Sequence, residues 1–349
     1  MKTIIVIVLC ILFCPSMKTQ DEWPSEVICN IAGSTWDSTY VFNVAEIPDG
    51  CDVITMGFYA FDRNNGVDIH TTKSDEDAMR ALQKANKIVY TILGFADKKD
   101  WPSIFDPRYK KTYRKFILDP LVMFLNDFKI SGVLLNVLGI YDVMDNFPQQ
   151  ISTFISQVKQ GVTHKIKFGL VIDAITYESF NDTTSFDFTI TNGVLDMYLI
   201  IFANLNICDS DGKKYGLAPI TCPSPNMTTM EQVTSAVSNS KMDKLKIYAW
   251  LQNVILIPDD QPLLLNKHIT TYSTYCSTNT SQSSLWCQNP PKLSYDQATF
   301  AKKNYRGIAI QSLDADDYNS SCGCEQFPIT KTFISGWKST PLTPCPRLD

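Results

Sequence analysis

Histidine is almost missing from this chain: there are three in 349 residues, His70, His164 and His268. They stand far apart, with no H-E-x-x-H and no Cys/His set at metal-ligand spacing, so neither a metal centre nor a cofactor is expected. Glycine (15) and proline (18) are too few for a collagen-like or low-complexity chain. No block of five like charges occurs, and the net charge is −5. An acidic chain without a basic stripe excludes nucleic acid as an expected partner. No apolar stretch reaches the roughly 20 residues of a membrane span. The nearest, Val194 to Leu205, is interrupted by Asp196 and Asn204. Internal repeats are absent as well.

What is present is apolar sequence and cysteine. A 44% hydrophobic content over 349 residues excludes a disordered chain and allows either one large α/β barrel or two domains. Eleven cysteines point to an oxidising compartment. The amino terminus agrees with that. Lys2 precedes an apolar run from Ile4 to Cys14, and Ser16, Lys18, Thr19 and Gln20 follow. Residues 1–20 therefore read as a cleaved signal peptide, leaving residues 21–349 as a secreted, extracellular chain. Loss of Lys2 and Lys18 brings the net charge to −7, and loss of Cys10 and Cys14 leaves nine cysteines. Sequons at Asn181, Asn226, Asn279 and Asn319 mark surface loops for glycans.

Eight short, nearly continuous apolar runs read as strands buried on both faces: Val27–Ala32, Val53–Phe61, Ile88–Gly94, Gly132–Leu138, Lys167–Ile172, Met197–Phe202, Leu245–Leu251 and Arg306–Leu313. Helical patterns alternate with them. Ser74–Ala85 opens on a serine N-cap, and Arg108–Asp127 must kink or split at Pro120. Phe147–Gln160, Thr228–Ser240 and Ser294–Tyr305 complete the set. Eight such units predict a single-domain α/β fold, the (β/α)8 TIM barrel. Cys208–Cys222 and Cys276–Cys287, in the two longest polar stretches, are expected as local staples. Nine cysteines leave one over, expected among Cys322, Cys324 and Cys345, either free or joining two chains in a dimer.

Several segments, in order along nearly the whole mature chain, resemble the strands of one known barrel family. Val27-Ile-Cys-Asn-Ile-Ala resembles the family's first strand, and Cys51-Asp-Val-Ile-Thr-Met-Gly-Phe-Tyr-Ala-Phe61 its second. Thr91-Ile-Leu-Gly94-Phe95 is similar to the third strand's Ser-x-Gly-Gly-Trp. Arg114-Lys-Phe-Ile117 and Phe124-Leu125 match the helix before the fourth strand. Gly307-Ile-Ala-Ile-Gln-Ser-Leu-Asp-Ala-Asp-Asp-Tyr318 resembles the eighth strand and its exit, followed by Cys322 and Pro328. Together these segments resemble glycoside hydrolase family 18, the chitinase and chitinase-like barrels, and the resemblance implies a Cys29–Cys51 disulfide.

The departures carry the functional expectation. Where the family reads Asp-Gly-x-Asp-x-Asp-x-Glu on the fourth strand, this chain reads Ser131-Gly132-Val133-Leu134-Leu135-Asn136-Val137-Leu138. Residues two apart share a strand face, so 134, 136 and 138 should face the barrel interior. Leu138 has no proton to give to a departing glycosidic oxygen, and loss of a general acid alone costs about 10²–10⁴ in rate. The sixth strand's Met-x-Tyr-Asp aligns with Ile201-Phe202-Ala203-Asn204, and the eighth strand's Trp platform with Gln311. The insertion that many members carry after the seventh strand is reduced to residues 253–294, read as a disulfide-pinned loop without a clear sheet pattern.

The resemblance therefore implies a catalytically inactive chitinase-like protein, not an enzyme. It would bind a glycan, such as a chitin or N-acetylglucosamine oligomer, or an extracellular protein partner, as growth-factor or immune-modulator members do, with a lean toward the protein partner. The aromatics Trp36, Tyr59, Phe61, Phe95, Trp101 and Tyr141 are the candidate sugar platforms, with core packing an equal explanation for Tyr59 and Phe61. The alternative is a glycosidase acting on β-1,4 N-acetylglucosamine polymers with relocated carboxylates, Asp142, Asp173 or Asp314. Loop capping and solvated charge account for those three more simply.

Overall fold

The computed structural model describes residues 26–33, 43–62, 66–68, 72–95, 114–136, 146–182, 186–203, 205–257, 269–278 and 286–348. Its centre is a closed ring of eight parallel strands: β1 (Val27–Ile31), β2 (Val53–Asp62), β4 (Ile88–Phe95), β5 (Gly132–Asn136), β6 (Lys167–Asp173), β7 (Met197–Ile201), β8 (Ile247–Gln252) and β11 (Gly307–Gln311). The hydrogen-bonded order runs β1-β11-β8-β7-β6-β5-β4-β2, and β1 pairs with β2 to close the ring. Helices alternate with the strands, so the chain is a (β/α)8 TIM barrel. A short strand, β3 (Gly66–Asp68), runs antiparallel to β2 outside the ring.

Alternation along the strands sorts two layers. Ile28, Val53, Tyr90, Ile92, Leu134, Val171, Met197, Leu199, Tyr248, Trp250 and Ala309 pack against one another in the interior. Their neighbours, such as Cys29, Ile54, Val133, Leu135 and Ile200, face the helices. Large interior rings need gaps opposite them. A Cβ on Gly132 would lie 2.5 Å from the Tyr90 ring, and one on Gly307 would collide with Tyr248. Gly132, the one residue shared with the family signature, is thus required by packing. At the end of the barrel where the strands begin, Lys167 Nζ donates to Glu26 Oε1 at 2.9 Å inside the ring.

The helices start where their chemistry directs. The first, Lys73–Lys84, is capped by Thr72, whose Oγ1 accepts from Asp75 N–H while Asp75 Oδ2 accepts from Thr72 N–H. The cap is therefore Thr72 and not Ser74: Ser74 also has an acid three residues ahead, Asp77, but that carboxylate pairs with Lys73 at 2.9 Å, while Asp75 completes the reciprocal pair with Thr72. The stretch before β5 splits at its proline: a π-helical turn, Arg114–Leu118, leads into a helix over Asp119–Asp127 with Pro120 in its first turn. The reduced insertion after β8 does contain sheet: β9 (Ile255–Leu256) pairs antiparallel with β10 (Ile269–Thr270), and Leu256 bridges to Cys287.

Cys29 is joined to Cys51, the pair implied by the resemblance. The other pairings differ from expectation. Cys208 pairs with Cys287, Cys276 with Cys322, and Cys324 with Cys345. Neither Cys208–Cys222 nor Cys276–Cys287 forms, and the three C-terminal cysteines are all paired. The reason is convergence in space: the bridge between Leu256 and Cys287 brings Cys287 to the loop after β7, where Cys208 lies. Cys222 is left as an exposed free thiol. The bridges link the loops after β7, β8 and β11 to one another and to the C-terminus.

A bridge spanning 79 residues, as Cys208–Cys287 does, restricts the unfolded chain by about 4–5 kcal/mol. Replacing Cys208 and Cys287 with Ala is expected to lower the Tm by roughly 10 °C, whereas Cys222→Ser leaves it unchanged. Thermal melts, with peptide mapping of the unreduced chain, check both. A Cys208–Cys222 cross-link in the map would overturn the pairing.

Candidate functional site

The strand C-termini form the mouth of the barrel, where side chains two residues beyond the interior layer line the opening. These are Asn30 on β1, Asn136 on β5, Asp173 on β6, Ile201 on β7, Gln252 on β8 and Gln311 on β11. Asn30 and Gln252 are buried, and the others are half-buried. Four of these six residues are amides. An amide donates and accepts hydrogen bonds but does not exchange a proton near neutral pH. This ring can hold hydroxyl and acetamido groups; it offers no general acid on β5.

Leu134 is 1% exposed and packs in the interior against Ile92 and Leu199. Ser131 precedes β5 at the opposite end of the barrel, where its N–H donates to Val89 O and its carbonyl accepts from Lys167 N–H. Leu138 and Asn204 lie outside the described residues. Ala203 is half-buried just beyond β7, beside a small pocket lined by Phe202, Leu217, Ala218, Gln252, Asn289 and Gln297. Its empty volume, about 220 Å³, falls below the usual range of ligand pockets, about 300 Å³ and above. Trp36, Trp101 and Tyr141 lie outside the described residues. Tyr59 and Phe61 fall on β2 and Phe95 ends β4, where only the backbone is described. Asn181, Asn226 and Asn319 are exposed; Asn279 is outside the description. His164 Nε2 meets Ile130 O at 2.7 Å, and His70 and His268 are not described.

The relocated carboxylates separate clearly. Asp142 lies outside the described residues. Asp173 sits at the mouth, where its Oδ1 accepts from Ile175 N–H at 3.1 Å and starts a 3-10 segment. Asp314 is not solvated. It is fully buried, and its two oxygens accept from Ala32 N–H (3.0 Å) and Gly33 N–H (2.8 Å), fixing the exit of β1. Asp316 and Asp317 are also buried. They do more than end a strand: Asp316 accepts from Thr330 N–H at 2.7 Å, and Asp317 from Cys322 N–H at 2.7 Å and Ser273 hydroxyl at 3.0 Å. Asp173 is therefore the only carboxylate among these six described mouth residues. Among the described residues, no cluster of His, Cys, Asp and Glu is arranged to hold a metal.

The sequence reasoning missed Asn30 and Gln252. The signal was available in the same two-residue period that placed Asn136, counted from Ile28 and from Trp250.

The arrangement is a parallel barrel whose described strand ends carry mostly uncharged polar side chains. Comparison with solved structures finds the same fold in chitinases. The second catalytic domain of a Group II chitinase from Ostrinia furnacalis matches with a TM-score of 0.71 at 14% identity, over 93% of this chain and all of that one. A Glu-to-Leu variant of the same domain, in complex with a chitooligosaccharide, matches equally well at 15% identity. Human YKL-39, described as a pseudo-chitinase with retained chitooligosaccharide binding, matches with a TM-score of 0.67 at 14% identity, over 90% of this chain and all of that one. The chain thus has the chitinase fold that its family 18 resemblance implied. No protein-family model matches the chain, and no curated protein matches it either.

Burial pushes the carboxyls of Asp314 and Asp316 above the ordinary carboxylate range, and their backbone hydrogen bonds offset only part of that. A raised folded-state pKa favours the protonated form. The stability these groups contribute is full below the ordinary carboxylate pKa and is lost as pH rises through the raised one. Asp316→Asn is expected to lower the Tm and to flatten its dependence on pH across that window. Melts at a series of pH values check this, and a slope equal to the wild type's would refute it.

Proposed function

We propose that this protein is a secreted, non-catalytic chitinase-like protein that binds N-acetylated amino-sugar oligomers at the barrel mouth. The observation that carries the reading is the ring of amides around one carboxylate. Amides pair with the hydroxyl and acetamido groups of a neutral sugar chain without needing a charge. The acid chemistry of a chitinase has no support from β5, where Leu134 fills the interior and Asn136 replaces a carboxylate. The chitinase fold supports the glycan as ligand, and a pseudo-chitinase that retains chitooligosaccharide binding shows that this fold permits binding without turnover. Gln311, standing where the family places a Trp platform, removes a stacking surface, so binding is weaker than in a chitinase. Four disulfides suit an extracellular site of action, and no helix among the described residues is long and apolar enough to cross a membrane. The exposed sequons at Asn181, Asn226 and Asn319 are the positions proposed to carry glycans.

Two measurements test the reading together. A fluorogenic chitooligosaccharide is expected to show no turnover, and calorimetry with chitohexaose is expected to show binding. Asn136→Ala and Gln311→Ala should each weaken that binding about 2- to 10-fold, the worth of one hydrogen bond. Turnover that disappears in Asp173→Asn would make the protein an enzyme. Absence of binding heat would remove the glycan and leave an extracellular protein as the partner.

A further inference from the structure

Strand register traces a polar line across the barrel interior. Gln252 on β8 lies beside Gln311 on β11. One step on from the Cys29–Ile310 pair, Gln311 lies beside Asn30 on β1. Asn30 pairs with Thr55 on β2, Thr55 with Tyr90 on β4, Tyr90 with Gly132 on β5, and Gly132 with Lys167 on β6. Laterally paired residues share a face of the sheet, and this line takes the inward one, as Tyr90 does. Because barrel strands tilt, the line descends from the last residue of β8 at the mouth to the first residue of β6 at the base. Every member except Gly132 is polar. The rows beside it are apolar: Ala309, Ile28 and Val53 below, and Ile92, Leu134 and Met197 above.

Much of this line is buried without a partner in the chain. Thr55 and Tyr90 are each 1% exposed, and neither Thr55 Oγ1 nor the Tyr90 hydroxyl forms a hydrogen bond. The same holds at the two ends, for Trp250 Nε1 one row below Gln252 and for Glu26 Oε2, whose other oxygen accepts from the Lys167 ammonium. Asn30 and Gln252 are buried too, and neither side chain forms a hydrogen bond among the described residues. Burial, reinforced by the nearby charge of Glu26, raises the pKa of the Tyr90 hydroxyl, so it keeps its proton and remains a donor. Buried polar groups that no protein atom satisfies are few in any domain, and ordered water ordinarily meets them. Four such atoms here fall on or beside one line.

We propose that this line is a hydrated seam, a string of bound water molecules running through the barrel interior from the amides of the mouth to the Glu26–Lys167 pair. The groups along it are mixed in kind. The indole N–H and the ammonium only donate, the carboxylate only accepts, and the hydroxyls and amides do both. Water donates and accepts, so it can bridge neighbours of every kind, and an internal water needs two to four such partners. An anion would meet the Glu26 carboxylate, and a cation the Trp250 N–H and the Lys167 ammonium, so neither suits the whole line. Leu134, Val171 and Leu199 keep the opposite wall of the barrel apolar. The seam is independent of whatever the mouth binds.

Two nearly isosteric variants of the full chain test this by the sign of their effect. With water on Thr55 Oγ1 and the Tyr90 hydroxyl, Thr55→Val and Tyr90→Phe each remove a bridged hydrogen bond and should lower the Tm by about 1–4 °C. In a dry seam the same changes delete an unpaired buried polar atom and raise the Tm. An unchanged or raised Tm in either variant would overturn the proposal. Oxygen-17 relaxation dispersion counts long-lived internal waters directly. Its amplitude should fall from the wild type to the double variant, and equal amplitudes would overturn the proposal. The third measurement needs only the wild type: crystals pressurised with xenon should show none beside Thr55. Xenon bound there would mark a dry cavity and overturn the seam.

Discussion

Eight parallel strands closed into a ring enclose a space that their own inward side chains must largely fill, and the rest of this structure depends on how that space is filled. Here Tyr90, Tyr248 and Trp250 take much of it. Their size is accommodated by glycine at 132, 169 and 307, where any Cβ would clash with Tyr90, Leu134 or Tyr248. Dense filling of this kind fixes which residues face inward, because a one-residue slip would turn every side chain to the other face. It also decides what a substitution on β5 can mean. An ionised carboxylate at position 134 would be desolvated among Ile92, Val171 and Leu199, and a leucine there costs nothing in hydration.

The acids that remain serve architecture. Asp314, Asp316 and Asp317 are completely buried and spend their oxygens on backbone N–H groups from β1, from the loop that carries Cys322 and from the start of the last helix. The disulfides act on the same region. Cys276–Cys322 binds the segment after β8 to the one after β11, and Cys208–Cys287 binds it to the one after β7. Carboxylates and cross-links together hold one side of the mouth. A rigid polar rim is the requirement for recognising a ligand without transforming it, since pre-ordered groups reduce the ordering cost of binding.

How much of this the sequence disclosed depended on the range of the interaction. The strands were legible because burial on both faces leaves continuous apolar runs, and all eight begin within two residues of the expected positions. The role of Gly132 was visible only as a surviving motif residue; the Tyr90 ring that requires it is 42 positions away. Helix capping was misplaced by two residues, since Thr72 and Ser74 each have an acid three residues ahead, Asp75 and Asp77, and the local sequence does not choose between them. The disulfides were least legible. Spacing favours near neighbours, yet the partners come from loops that meet only once the ring has closed. Asp314 shows the same limit, because nothing in the local sequence says that Ala32 and Gly33 will arrive at its carboxylate.

Charge follows the same logic at larger scale. Along the sequence the lysines at the end where the strands begin occur singly or in short groups, ahead of several different strands, and no stripe is visible. Closure of the ring gathers them on one face with Glu46, Asp49, Asp52 and Asp127, while it gathers amides on the other. Net charge speaks only to the average. The described residues of the mouth carry one charge, on Asp173, among four amides, so ligands there are selected by hydrogen-bond geometry and shape. The end where the strands begin carries exposed charges of both signs. The two ends differ in chemistry because strand ends and strand starts are occupied by different residue types. A parallel barrel keeps those two sets apart by the full length of its strands.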